Sequence, residues 1–285
     1  MDKKVDHGEW VKRLVEDYIA SPDNSFNDIG EPAWDKPIVG FSNGADPLYD
    51  FYKRDIGSFY TLPPEFMRDV YPSLQVKSDE LTVISWVLPQ TKATKYDHRK
   101  ETKMPSERWA RARIMGEAVN MRLRAHIVEE LGKAGYPAVA PMLSPLWKQH
   151  MSKKYLFASS WSERHAAYAA GLGTFGLSDG LITVKGKAHR VGSVITKIGI
   201  PPTPRTYTDH HAYCLWYAKG ICGACIGKCP AGAISEKGHD KQKCSDYVDT
   251  THAYVEETYH FMGYGCGLCQ VGIPCESRIP EGIDV

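Results

Sequence analysis

Cys222-Gly-Ala-Cys225-Ile-Gly-Lys-Cys229-Pro230 is the stretch on which the reading of this 285-residue chain turns. Two residues separate Cys222 from Cys225, three separate Cys225 from Cys229, and a proline follows at once. A two-residue gap lets one turn of chain wrap a cluster of iron and sulfide, with backbone N–H groups toward the sulfurs. The three-residue gap and the proline then redirect the chain and point the last thiolate at a second cluster. Gly223 and Gly227 permit the close approach of the backbone. All eight cysteines lie between Cys214 and Cys275. A residue type absent before Cys214 and dense after it marks a boundary. It is placed at Ile200-Pro-Pro-Thr-Pro204, which reads as a stiff connector, so residues 1–204 and 205–285 are expected to form two domains.

The Cys-Pro ending is that of the bacterial ferredoxin run, in which the last cysteine serves the other cluster. Lys219 stands where that run has its first cysteine, and Cys214, eight positions before Cys222, is the nearest substitute. The second group is Cys244, then Cys266-Gly-Leu-Cys269, then Cys275 after a gap of five residues. Crossed pairing assigns Cys214, Cys222, Cys225 and Cys275 to one cluster and Cys229, Cys244, Cys266 and Cys269 to the other. Two [4Fe-4S] clusters use every cysteine. Cys-x2-Cys pairs also bind zinc, so two zinc sites are one alternative, and a single cluster with spare thiols is another. The Cys-Pro step and the lack of two symmetric pairs favour iron–sulfur.

Thirty-five Lys and Arg nearly balance 34 Asp and Glu, for a net charge of +1, and 42% of residues are hydrophobic. That is enough to bury a core, and nothing in it points to nucleic acid or a membrane as partner. The start, Met1 to Ala20, carries charges throughout and lacks the apolar centre of a secretory signal. It reads as an amphipathic helix with Trp10, Leu14, Val15 and Tyr18 on one side. No stretch is apolar enough to span a bilayer. A cytoplasmic location is expected, where four disulfides are not.

Leu81 to Leu88 is short, apolar and β-rich, and Pro89 ends it, as befits a buried strand. Ser106 to Leu131 has helical spacing, with Ile114, Ala118, Met121, Ala125 and Val128 inward and Arg111, Arg122 and Glu129 outward. Pro141 to Met151 reads as loop. Ser160 and Glu163 have the spacing of a capping box that opens a helix through Ala169, closed by Gly171 and Gly173. Leu181 to Val184 and Val191 to Ile198 read as two strands joined around Gly186. The mixture predicts an α+β fold, an α/β sandwich in the first domain.

Ser162-Glu-Arg-His-Ala-Ala-Tyr-Ala-Ala-Gly-Leu-Gly-Thr-Phe-Gly176, Leu181-Ile-Thr and Arg190-Val-Gly-Ser-Val-Ile-Thr196 precede the cysteines in that order. With Lys243-Cys244-Ser-Asp-Tyr and Tyr264-Gly-Cys266-x-x-Cys269-Gln270, this resembles the superfamily of epoxyqueuosine reductases and corrinoid reductive dehalogenases. Ala45-Asp-Pro-Leu and Gly135-Tyr-Pro-Ala-Val resemble its N-terminal half. The resemblance implies a nitroreductase-like domain holding cobalamin, followed by a bicluster ferredoxin-like domain. It implies that Gly171, Leu172, Gly173 and Gly176 bring backbone to the corrin, and that Arg190, Ser193 and Thr196 offer it donors. It also implies a reductase fed by a low-potential donor such as ferredoxin or flavodoxin and acting on a small molecule, with the oligomeric state open.

Two departures limit what carries over. Phe157-Ala-Ser-Ser-Trp161 holds no acid where epoxyqueuosine reductases look to have a catalytic aspartate, and the chain stops ten residues after Cys275. A tRNA substrate is therefore not expected. The proton source is sought among Tyr155, His165, Tyr168 and Asp179, each of which also reads as an ordinary packing residue. His189, His210, His211, the basic run Lys92 to Arg113, and Trp86, Trp109, Trp147 and Trp161 are further candidates, most simply read as surface or core. The alternative function is a corrinoid-free iron–sulfur protein for electron transfer or activation.

Overall fold

The computed structural model describes residues 6–284. At its centre is an antiparallel sheet in the order Ile38–Asn43, Thr82–Pro89, His189–Thr196, Ala138–Val139. Every residue of Thr82–Pro89 is buried, because helices and loops cover both faces of the sheet. Alternate side chains divide between two cores. Ile84, Trp86 and Leu88 meet the helices His7–Ala20 and Glu117–Lys133 through Val11, Val15, Val119, Leu123 and Ile127. Val83, Val87, Val191 and Ile195 meet Tyr49, Trp161 and the helix Glu163–Ala169. Trp86 lies across Gly192, its partner in the register, where an added Cβ would come within 2.5 Å of the indole. The indole N–H donates to Asn120 Oδ1 at 2.9 Å.

The long helix departs from its expected phase. It runs as Glu107–Arg111, a π turn at Ala112–Gly116, and Glu117–Lys133. A π turn adds one residue, about 100° of rotation, to a helix of 3.6 residues per turn. Beyond it Val119, Leu123, Ile127 and Leu131 face the core, while Ala118 and Ala125 are exposed. Arg111, expected outward, is buried and pairs with Glu107 and Asp28.

Other expectations change in detail. The first helix, His7–Ala20, buries Val11, Val15, Tyr18 and Ile19, with Trp10 and Leu14 at the margin; Met1–Val5 lie outside the described residues. The strands Leu181–Thr183 and His189–Thr196 do not pair with each other: the former pairs with Gly173–Phe175 and the latter with Thr82–Pro89. The loop from Pro141 ends in a strand, Gln149–Ser152, paired with Leu156–Ser159. The capping box does not form. Ser160 Oγ accepts from Lys148 N at 2.9 Å and donates to Leu146 O at 2.8 Å, while Glu163 turns to Arg124.

Residues 200–207 have no regular structure, yet they are not free. Thr203 and Phe41 exchange two hydrogen bonds, each 2.9 Å long. The chain beyond is held to the sheet layer at a few places. Lys187 N donates to Cys275 O at 2.8 Å, Arg99 Nε to Glu276 Oε2 at 2.8 Å, and Tyr259 OH to Pro105 O at 2.9 Å. Its longest helix, Lys241–Tyr259, buries Thr251 and Val255 alone among its 19 residues. No helix among the described residues is long and apolar enough to cross a membrane.

Candidate functional site

The fold sorts the eight thiols into two groups. Cys214, Cys222, Cys225 and Cys275 line one small cavity of about 20 Å³, with Gly176, Leu177, Ile182 and Lys187. Cys214 caps the short helix Leu215–Lys219, and Gly220, left-handed at φ +66°, turns the chain back toward Cys222. Cys222 itself has φ +99°, a costly conformation for a side chain with a Cβ and one that clusters at functional sites. Cys275 is fixed by its carbonyl, which accepts from Lys187 N. The other group is Cys229, Cys244, Cys266 and Cys269. Cys229 Sγ accepts from Ala233 N at 3.3 Å, and Cys244 sits in the first turn of Lys241–Tyr259.

The charges each thiol feels draw the same division. Burial pushes Cys225 up to about 11, and Cys269, Cys275 and Cys214 add to the rise. Burial pushes Cys244 to about 11 as well, with Cys269 and Cys229 as its sulfur neighbours. Cys266 is raised by burial and by Cys269, Cys244 and Cys229. Cys225 and Cys269 are where the groups meet. Among the described residues no three His, Cys, Asp or Glu close on a point as the ligands of a single ion do. His210 and His211 take no part: His210 is exposed, and His211 Nδ1 is bonded to Phe175 O at 2.8 Å.

The residues assigned to the corrin by resemblance divide sharply. A Cβ on Gly171 would lie 2.9 Å from Pro204 O, and one on Gly173 would lie 2.2 Å from Ile182 O. Both glycines therefore admit the chain's own backbone rather than a ligand. Leu172 is buried in the core, and Gly176 faces the cysteine cavity. Thr196 Oγ1 donates to Pro137 O at 3.0 Å, so it is not a free donor, while Ser193 Oγ accepts from Trp161 Nε1 at 3.0 Å and lies beside the Glu163 carboxyl. Arg190 differs. Its Nε pairs with Glu117 at 3.2 Å while its Nη2 is buried without a partner. His189 Nδ1 and Glu163 Oε2 are likewise without partners. Arg164 is exposed, its guanidinium donates to Asp179 O, and its charge, like that of Arg190, acts on the buried His189. Burial lifts the Glu163 carboxyl to about 7 despite Arg124, which is 1% exposed and also pairs with Glu117.

Three of the four proton-source candidates share a neighbourhood. Tyr155 OH donates to Asp55 Oδ2 at 2.5 Å, with Lys154 on the other carboxylate oxygen at 2.6 Å. Burial holds His165 down at about 3, so its ring is neutral; its Nδ1 is 2.7 Å from Ser162 Oγ. Burial pushes Asp179 up, but the hydrogen bond with His239 Nδ1, at 3.1 Å, and the charges of Arg164, His239 and Lys241 outweigh it and hold the carboxyl below the usual range. Tyr168 stands apart, packed on Phe175 and Tyr207 in the core. Arg164 was in plain view within the Ser162–Gly176 segment, but His239, Lys241 and Lys187 had no spacing to single them out. The tryptophans are packing residues: Trp86 and Trp161 are fully buried, and Trp109 stacks on His98. Part of the basic run is engaged in ion pairs, Arg108 with Glu31 and Asp97, Arg99 with Glu276.

No family model and no curated protein matches the chain. Solved structures do. An epoxyqueuosine reductase from Streptococcus thermophilus aligns over 98% of this chain and 69% of its own, with TM-score 0.50 and 14% identity. A catabolic reductive dehalogenase, in complex with 3-bromo-4-hydroxybenzoic acid, aligns over 86% of this chain and 30% of its own, with TM-score 0.51 and 14% identity. The chain thus has an α+β fold, and it is the fold that epoxyqueuosine reductases share with reductive dehalogenases.

Proposed function

We propose that the chain is a reductase that takes electrons from a low-potential donor, such as ferredoxin or flavodoxin, through two [4Fe-4S] clusters to a corrinoid and so to a small molecule. The observation that carries this reading is the sorting of eight thiols into two adjoining sets of four, the first lining one pocket and the second drawn together by the charges its members exert on one another. That donor set fits a cluster with one thiolate per iron. Cys214, Cys222, Cys225 and Cys275 would hold one; Cys229, Cys244, Cys266 and Cys269 the other. Contact between the sets at Cys225 and Cys269 supports passage of electrons from one to the other.

For the corrinoid, the fit rests on three buried polar atoms that the protein leaves without partners: Arg190 Nη2, His189 Nδ1 and Glu163 Oε2 are a mixture that suits the amide-rich rim of a corrin. A corrinoid held by these residues would supply a strongly reducing centre. The protein's own task is then to place substrate and proton. Tyr155 with Asp55, and His239 with Asp179, each share a proton between two titratable groups and are the sources this structure offers. Neutral His165 packs between them.

Anaerobic reconstitution with iron, sulfide and cobalamin, followed by gel filtration and EPR, tests the reading. One corrinoid retained per chain, with the signals of two interacting reduced clusters, is the expected result. Loss of the corrinoid with both clusters intact would favour the second reading, an iron–sulfur electron carrier. That reading has its own support, since Gly171 and Gly173 are closed off by the chain and the Thr196 hydroxyl is spent on Pro137 O.

A further inference from the structure

Lys187 is 2% exposed, and among the described residues it has no carboxylate partner. Its side chain lies along Gly180, where an added Cβ would be 2.6 Å from the lysine Cδ. Its Nζ donates to Ser178 Oγ at 2.9 Å. A buried ammonium left without a counter-charge is costly, so the anion it faces matters. Lys187 lines the cavity of Cys214, Cys222, Cys225 and Cys275, and its backbone N–H holds the Cys275 carbonyl. Ser178, itself buried, lies beside Cys269 of the second group, and the charge of Lys187 is felt there too. One cation therefore reaches both thiol sets, with the Ser178 hydroxyl between it and the second.

We propose that Lys187 is a shared tuning charge: its buried ammonium raises the reduction potential of the first cluster directly and, through Ser178, that of the second. The inference rests on the two-cluster reading above. Reduction adds negative charge to a site already carrying four thiolates, and a fixed cation nearby in a low-dielectric setting favours the reduced state. It also moderates the repulsion that the first electron exerts on the second. Lys187 is a positioning residue in this account, since it acts through the clusters and touches no substrate.

The test is a redox titration with dithionite and mediators, followed by EPR, on anaerobically reconstituted protein. If the wild-type chain does not hold two clusters, the functional reading fails before any variant is compared. Given two clusters, Lys187→Met should lower the ratio of reduced to oxidised first cluster about tenfold at a fixed poise, a shift of about 59 mV for one electron. The second cluster should move the same way by less, and Lys187→Arg should restore both. Ser178→Ala should lower the second cluster and leave the first in place. Unchanged midpoints in Lys187→Met at full iron content would overturn the proposal. Should that variant fail to load, Ser178→Ala decides: an unmoved second cluster overturns it, and a selective fall upholds it.

Discussion

The strand Thr82–Pro89 and the helix Lys241–Tyr259 are held in place by different means. All eight residues of the strand are buried, with apolar side chains alternating into two cores. The helix has 19 residues and buries Thr251 and Val255. Apolar burial at about 25 cal/mol per Å² is ample to order the first and scarcely addresses the second. What the helix has instead is Cys244 in its first turn and hydrogen bonds from Tyr247 and Tyr259 to Lys103 O and Pro105 O. The lesson is that packing alone specifies the sheet, whereas this helix depends on what Cys244 and its fellow thiols hold.

The largest expected effect separates the two regions. Stripping iron with a chelator should cost Lys241–Tyr259 its hydrogen-exchange protection, on the order of a hundredfold or more, because metal binding and local folding are one process there. Thr82–Pro89 and His189–Thr196 should keep theirs; equal loss in both would erase the distinction. The converse test is Trp86→Ala, which removes the indole between Gly192 and Asn120 and should cost about 3–5 kcal/mol by urea unfolding. Protein that remains folded should still bind its full iron.

Acid should act on the sheet side before the clusters are considered. Burial holds His165 at about 3 and His189 at about 4, below the ordinary imidazole value. Both stay neutral when folded and take up protons on unfolding. Their contribution is therefore complete above about pH 6.5 and is lost as pH falls toward those folded values. The urea midpoint should decline between pH 7 and pH 5, and His189→Gln should flatten that decline. A midpoint that rises toward acid would contradict the assignment of neutral rings. The smallest expected change concerns Arg190. Arg190→Gln removes an orphan charged donor and should weaken corrinoid retention about tenfold, as loss of a charge-assisted hydrogen bond worth about 1.5 kcal/mol would, with iron content unaltered.

Much of this was legible in the chain because some signals are local. The cysteine spacing foretells which thiols stand together, since a two-residue gap forces neighbours and Cys-Pro forces departure. The Leu81 to Leu88 run reads as a buried strand because its composition and the following proline agree. Other features depend on partners distant in sequence. The π turn at Ala112–Gly116 shifts every inward position after it, and no apolar spacing announces it. Leu181–Thr183 pairs with Gly173–Phe175 rather than with its neighbour, a matter of tertiary packing. Gly171 and Gly173 read equally well as a ligand cradle or as a close approach of chain to chain; Pro204 and Ile182 decide for the latter. Lys187 was invisible as a lone lysine in a short turn, and only its burial beside both thiol groups gives it a role.

The most direct test of the central claim is the iron, acid-labile sulfide, zinc and corrinoid content of the protein purified without exposure to oxygen. The account predicts about eight irons and about eight sulfides per chain, two four-iron clusters' worth, with one corrinoid and negligible zinc. About two zinc ions per chain, with no iron and no sulfide, would contradict it.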